Sequence, residues 1–162
     1  MRIATVLSAL GVAVLAAPAA AEIPVSPLGD IYESYNDCLK VADPGGLSKG
    51  TLASLGWQRA TMSTKDGKPI ADGPIIYGNA KRKPIILLSA EQGKGACIVM
   101  ARVATAASFG EFLQAWGGKL PAPDKDGVIT FFDEGRPVQI RQTGSADKPA
   151  LTMAVMTPSE KK

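Results

Sequence analysis

The sequence lacks the side chain that most often acts as a general acid or base. Its 162 residues include no histidine. Histidine is the usual proton carrier near neutral pH, the base of Ser-His-Asp and Cys-His catalytic arrangements, and the commonest ligand of catalytic zinc. Sites that depend on histidine are therefore excluded.

Two pairs of carboxylates remain as candidate catalytic groups. Asp124 lies near Asp126, and Asp133 precedes Glu134. Each pair adjoins a glycine, and Asp in such turns is favoured because it bonds to nearby backbone groups. A glycosidase-like pair instead requires two carboxyl groups across a cleft, one of them with a raised pKa. We interpret both pairs as turn residues and keep a histidine-free hydrolase as the alternative.

The sequence contains no convincing metal or cofactor motif. The segment 124–127 lacks the third acidic position and the distal Glu of a calcium-binding loop. The segment 93–95 lacks the spacing and the following hydroxyl of a phosphate-binding loop. We therefore propose no metal site and no cofactor.

The densest charge in the chain is the basic run Lys81, Arg82 and Lys83. Such a run is able to contact an anionic surface, either lipid head groups or an acidic protein partner. The interpretation that the pattern favours is a solvated hairpin tip that also protects a strand edge. With a formal net charge of only +3 for the whole chain, a nucleic-acid partner is not expected. These three residues are the candidate interaction residues.

The first twenty-one residues have the layout of a secretory signal peptide. Arg2 supplies a positive charge, residues 3–15 are apolar, and small residues end the segment at Ala19 and Ala21. The apolar run is shorter than the about 20 residues that span a bilayer, which argues against the alternative of an uncleaved anchor. We expect cleavage after Ala21 and a periplasmic mature protein without a membrane span.

The two cysteines, Cys38 and Cys97, are expected to form one disulfide. The periplasm oxidises thiols, and the two residues are far from the Cys-x-x-Cys spacing of a redox-active pair. The alternatives are two buried reduced thiols or a nucleophilic Cys97, which would need a free thiol beside a cation. We assign the pair a structural role.

Three segments have the pattern of helices. Asp30 and Ser108 are each followed three residues later by Glu, which predicts a capping box at the start of the first and third helices. The first helix is expected to end before the run 43–46, which contains Pro44, and the second is predicted over 48–55. The third helix carries an aromatic stripe that we assign to the core, namely Phe109, Phe112 and Trp116.

Seven further segments have strand patterns, and they are 57–63, 75–79, 84–90, 96–104, 128–132, 136–142 and 150–156. Short polar connections pair neighbouring strands antiparallel. The fold class predicted is α+β, an antiparallel sheet of six or seven strands with three helices packed on one face and one disulfide. Ser48 and Ser108 start helices sixty residues apart, so the chain also fits two helix-plus-meander units. The runs 85–88 and 97–100, apolar without alternation, indicate central strands at least partly covered on both faces.

Two functions of different classes fit this single domain of residues 22–157, which a polar tail of residues 158–162 follows. The favoured one is a non-catalytic periplasmic module that binds an unknown ligand or protein through loops around 81–83 and 119–127. The alternative is the histidine-free hydrolase. The partner expected is a periplasmic protein or a component of the cell envelope.

Overall fold

The computed structural model describes residues 23–158 except 62, 65 and 71–73. The predicted signal peptide lies outside these residues. The helices are α1 (Leu28–Val41), α2 (Lys49–Ser54) and α3 (Ala107–Leu113), the last continued by a 3-10 turn at Gln114–Trp116. The strands are β1 (Ala42–Asp43), β2 (Gly46–Leu47), β3 (Trp57–Arg59), β4 (Ile75–Asn79), β5 (Arg82–Leu88), β6 (Ala96–Arg102), β7 (Ile129–Asp133), β8 (Arg136–Gly144) and β9 (Pro149–Met156).

Strands β3 to β9 form one antiparallel sheet in the order β3-β4-β5-β6-β9-β8-β7. Two meanders therefore meet where β6 pairs with β9 at the centre. The two meanders are related by a constant offset in the sequence. The number of residues from the start of β4 at Ile75 to the start of β7 at Ile129 equals the number from the start of β5 at Arg82 to the start of β8 at Arg136. The predicted α+β class is confirmed. The offset between corresponding strands of the two meanders is shorter than the sixty residues that separate the predicted helix caps Ser48 and Ser108.

The core lies between the sheet and the three helices. Along β5, Ile86 and Leu88 are buried while Ile85 and Leu87 stay partly exposed, because alternate side chains of a strand point to opposite faces. Helix α1 packs across β5, β6 and β9 and fills the covered face. The predicted disulfide is confirmed, with the Cα atoms of Cys38 and Cys97 5.4 Å apart.

Two of the three predicted helix starts are wrong, and the reason is the same in both. Helix α1 begins two residues before Asp30, whose carboxylate accepts the backbone N–H of Lys83 at 3.2 Å. Helix α3 begins before Ser108, which exchanges hydrogen bonds with Thr105. Both side chains bond to groups other than those of the predicted box. Only the cap at Ser48, which accepts the N–H of Thr51, is confirmed.

The sequence did not indicate the small β1–β2 hairpin that follows α1. Gly46, the first residue of β2, has φ +116°, and a Cβ there would lie 2.7 Å from the carbonyl oxygen of Gly93. The N–H of Leu47 donates to that same oxygen at 2.9 Å. Glycine is required at position 46 because both the backbone angle and the close approach exclude a side chain.

Candidate functional site

The basic turn between β4 and β5 is fixed to the end of α2 by Asn79. The side-chain amide of Asn79 donates to the carbonyl of Leu55 at 3.2 Å, and its oxygen accepts the N–H of Lys81 at 2.9 Å. One asparagine thus joins the turn to a second element. The turn has a defined position on the surface, which a recognition loop needs.

Arg82 points into the protein, where it contacts a buried carboxylate. Its Nη1 bonds to Oδ2 of Asp37, whose side chain is only 2% exposed. Its Nε lies 3.2 Å from the carboxylate of Glu33. Asp37 also accepts the indole N–H of Trp57 at 2.9 Å. Arg82 therefore anchors the turn to α1, and its guanidinium is already engaged within the fold.

Lys81 and Lys83, in contrast, are exposed. Within the part of the chain that the structure describes, neither ammonium group has a hydrogen-bond or ion-pair partner. Beside Lys81 lies a surface depression of about 340 Å³. Its lining residues come from the end of α2 and from the turn, and they are Ser54, Leu55, Gly56, Asn79, Ala80, Lys81 and Arg82. The structure thus presents two unpaired cations on an anchored hairpin, one of them beside a concave surface.

The two candidate carboxylate pairs lie at opposite ends of β7. Asp124 accepts the N–H groups of Asp126 and Val128, each at 2.9 Å, so its carboxylate serves the turn. Asp133 ends the strand and accepts the hydroxyl of Tyr35. Val128, whose carbonyl accepts the N–H of Asp124, lies five positions before Asp133, or about 16 Å of strand, beyond the about 5–10 Å between the carboxyl groups of glycosidases. The two turns do not combine into a pair across a cleft.

Tyr35 of α1 and Asp133 form a partly buried polar contact. Burial of the Tyr35 hydroxyl raises its pKa well above the ordinary value near 10, and the hydrogen bond and negative charge of Asp133 act in the same direction.

The aromatic rings around Tyr35 include those of the predicted aromatic stripe on α3 and the 3-10 turn. Trp116 meets Tyr35, Phe112 and Phe131 edge to face. Phe112 lies in the core as predicted, whereas Phe109 and Trp116 are partly buried and pack against the core.

Replacing Tyr35 with Phe should flatten the dependence of stability on alkaline pH. In the unfolded chain Tyr35 loses its proton near pH 10, whereas the folded state retains it. The stabilisation is complete below pH 10 and is lost as the pH rises above it, by up to about 1.4 kcal/mol per pH unit. Urea unfolding between about pH 8 and pH 11 measures this slope. Tyr32→Phe is the control, and an equal slope in Tyr35→Phe and wild type would contradict the assignment.

The described residues hold few features of other kinds of site. No group of three or more metal-ligating side chains is arranged to hold an ion there. No helix in that part of the chain has both the length and the apolarity to cross a membrane. Both cysteines are in the disulfide, so neither offers a thiolate.

The sequence did not point to Asp37 as the anchor of the basic turn. The sequence holds one weak indication that Asp37 is buried. It lies three residues after Ser34 and four before Val41, on the same side of α1 as these buried residues. A carboxylate in such a position needs a cation, and Arg82 supplies it at Oδ2, while Lys40 lies more loosely at 3.8 Å from Oδ1.

No protein-family model, curated protein or solved structure matches the chain.

Proposed function

We propose that the chain is an exported, non-catalytic binding module of the periplasm that recognises an acidic protein or cell-envelope component. The observation that supports this most directly is the pair Lys81 and Lys83, two exposed ammonium groups on a turn anchored by Asn79 and by the buried Arg82–Asp37 ion pair. A fixed turn loses little conformational freedom on binding, so its charges contribute more of their interaction energy to affinity.

Export is supported by the sequence of residues 1–21 and is compatible with the disulfide. An extracytoplasmic compartment permits such a bond, whereas the cytosol usually keeps thiols reduced. The absence of histidine and the placement of the carboxylates on two separate turns weigh against the hydrolase alternative. The favoured function is accordingly recognition without chemistry.

Neutralising the basic turn should weaken binding to an anionic probe without unfolding the protein. The probe is a fluorescent hexaglutamate peptide, titrated at low salt with the mature chain. Exposed charge pairs contribute roughly 0.2–1 kcal/mol each, so Lys81→Gln with Lys83→Gln should raise Kd by about two- to thirty-fold. Added salt should weaken binding by wild type more than by the variant. The free energy of unfolding should change by less than about 0.5 kcal/mol.

The matched control removes the same charge elsewhere. Lys161→Gln with Lys162→Gln neutralises two lysines of the C-terminal segment. If this control weakens peptide binding as much as the variant at 81 and 83, attraction depends on net charge and the proposed site is wrong. Equal binding by wild type and the double variant at the turn leads to the same conclusion.

A further inference from the structure

The face of the sheet opposite the helices carries an apolar strip. Side chains directly opposite one another on neighbouring strands form a row that runs across β4, β5, β6 and β9, namely Ile76, Leu87, Ile98 and Ala154. The next residue of the row is Gln139 on β8. All three helices pack on the other face, and these apolar residues remain partly exposed. The strip is a linear apolar surface with one polar end.

At the polar end lies a concave site of about 210 Å³. Ile98 and Ala154 form an apolar floor, and Val128, just before β7, adds a further apolar side chain. The remaining lining residues are polar, and they are Gln139, Arg141 and Thr152. Arg141 and Thr152 lie directly opposite each other on β8 and β9. Apolar lining with a few convergent polar groups is the usual composition of a small-molecule site.

The charge on this face has one sign. Among the strand residues described on it, the ionisable side chains are Lys83, Arg102 and Arg141, and none is Asp or Glu. Arg141 has no hydrogen-bond or ion-pair partner among the described residues. Among the described residues, an exposed arginine at the end of an apolar strip is therefore left without an anion. The face is complementary to a molecule that is apolar along its length and negative at one end.

We propose that this open face binds one long-chain fatty acid. Arg141 holds the carboxylate, with Gln139 and Thr152 as further hydrogen-bond donors, and the acyl chain lies on Ile98, Leu87 and Ile76. A guanidinium matches the planar carboxylate with two parallel hydrogen bonds. One arginine in the site balances one negative charge, which favours a carboxylate over a doubly charged phosphate.

The length of the strip fits a long acyl chain. Four strand spacings separate β8 from β4, or about 19 Å at about 4.8 Å each. A long-chain fatty acid reaches that far when extended, whereas a short-chain acid would leave the Leu87 and Ile76 end uncovered. Neither the concave site nor the strip includes Lys81 or Lys83, so this proposal stands or falls independently of the acidic partner proposed above.

The test is a titration of the delipidated mature protein with hexadecanoate, kept below its aggregation concentration. We expect saturable binding of one molecule per chain. Arg141→Gln should weaken it by at least about tenfold, since a hydrogen-bonded charge pair is lost. Ala154→Leu, which fills the floor of the site, should also weaken binding. Octanoate and the uncharged hexadecanol should bind more weakly than hexadecanoate.

Arg59→Gln is the matched control, because it removes an arginine that is exposed on β3 and paired with Glu91 at 3.0 Å. Its affinity for hexadecanoate should equal that of wild type. Absence of saturable binding by wild type would overturn the proposal, as would equal affinity of Arg141→Gln and wild type. So would binding to anionic lipid vesicles without binding of the free acid, because that result identifies a membrane surface as the ligand.

Discussion

Replacing Asp37 with alanine is expected to lower the free energy of unfolding by about 2–4 kcal/mol, somewhat less than the about 3–5 kcal/mol for a fully buried ion pair, because the Arg82 side chain is 21% exposed. The Asp37 side chain is 2% exposed and serves two donors at once, the guanidinium of Arg82 and the indole N–H of Trp57. In the variant the cation keeps only Glu33 at the surface, and the indole N–H stays buried without an acceptor. The indole N–H then lacks hydration that nothing replaces, whereas the partly exposed guanidinium recovers part of its own.

Urea denaturation of three variants separates the contributions. Asp37→Asn keeps an acceptor for Trp57 but removes the charge that Arg82 needs, so it should lie between wild type and Asp37→Ala. Glu33→Gln is the control, because this carboxylate contacts the same arginine but is 62% exposed. It should cost less than about 1 kcal/mol. If Asp37→Ala costs no more than Glu33→Gln, the buried pair does not stabilise the fold.

The same contact explains which part of the candidate site the sequence could predict. Three consecutive basic residues are visible in the sequence, and a hairpin tip at that point follows from the flanking strand patterns. The sequence pattern does not distinguish the roles of Lys81, Arg82 and Lys83. The structure distinguishes them, because Arg82 alone of the three bonds to Asp37 on α1. That contact joins residues 45 positions apart and depends on how α1 packs, which local patterns do not encode.

The strands were predictable for a related reason. Segment 75–79 matches β4, and the other strands differ mainly at their ends, because alternation and turn residues act over a few positions. The first predicted strand, 57–63, ends early at Arg59. Helix starts were less predictable, since Asp30 is able to cap a helix or to bond to a strand. The position of Lys83 decides between these two uses, and it is fixed only by the tertiary structure.

Removing the disulfide with Cys38→Ala and Cys97→Ala is expected to lower the free energy of unfolding by about 4 kcal/mol. The cross-link spans 59 residues of sequence, and closing a loop of that size restricts the unfolded chain by about this amount in the chain-entropy model. It joins α1 to the central strand β6, so without it the helical layer is held to the sheet by packing and hydrogen bonds alone. Urea denaturation with and without reductant measures the difference.

Reductant should have no effect on the double alanine variant, and it should shift the wild type toward the variant. Both cysteine side chains are fully buried, so a thiol reaches the bond only when α1 separates from the sheet. Reduction of the native protein should therefore be slow and should accelerate as urea increases such opening. If the reduced wild type and the variant both unfold at the urea concentration of the oxidised protein, the cross-link adds no stability, and packing of α1 alone keeps the helical layer on the sheet.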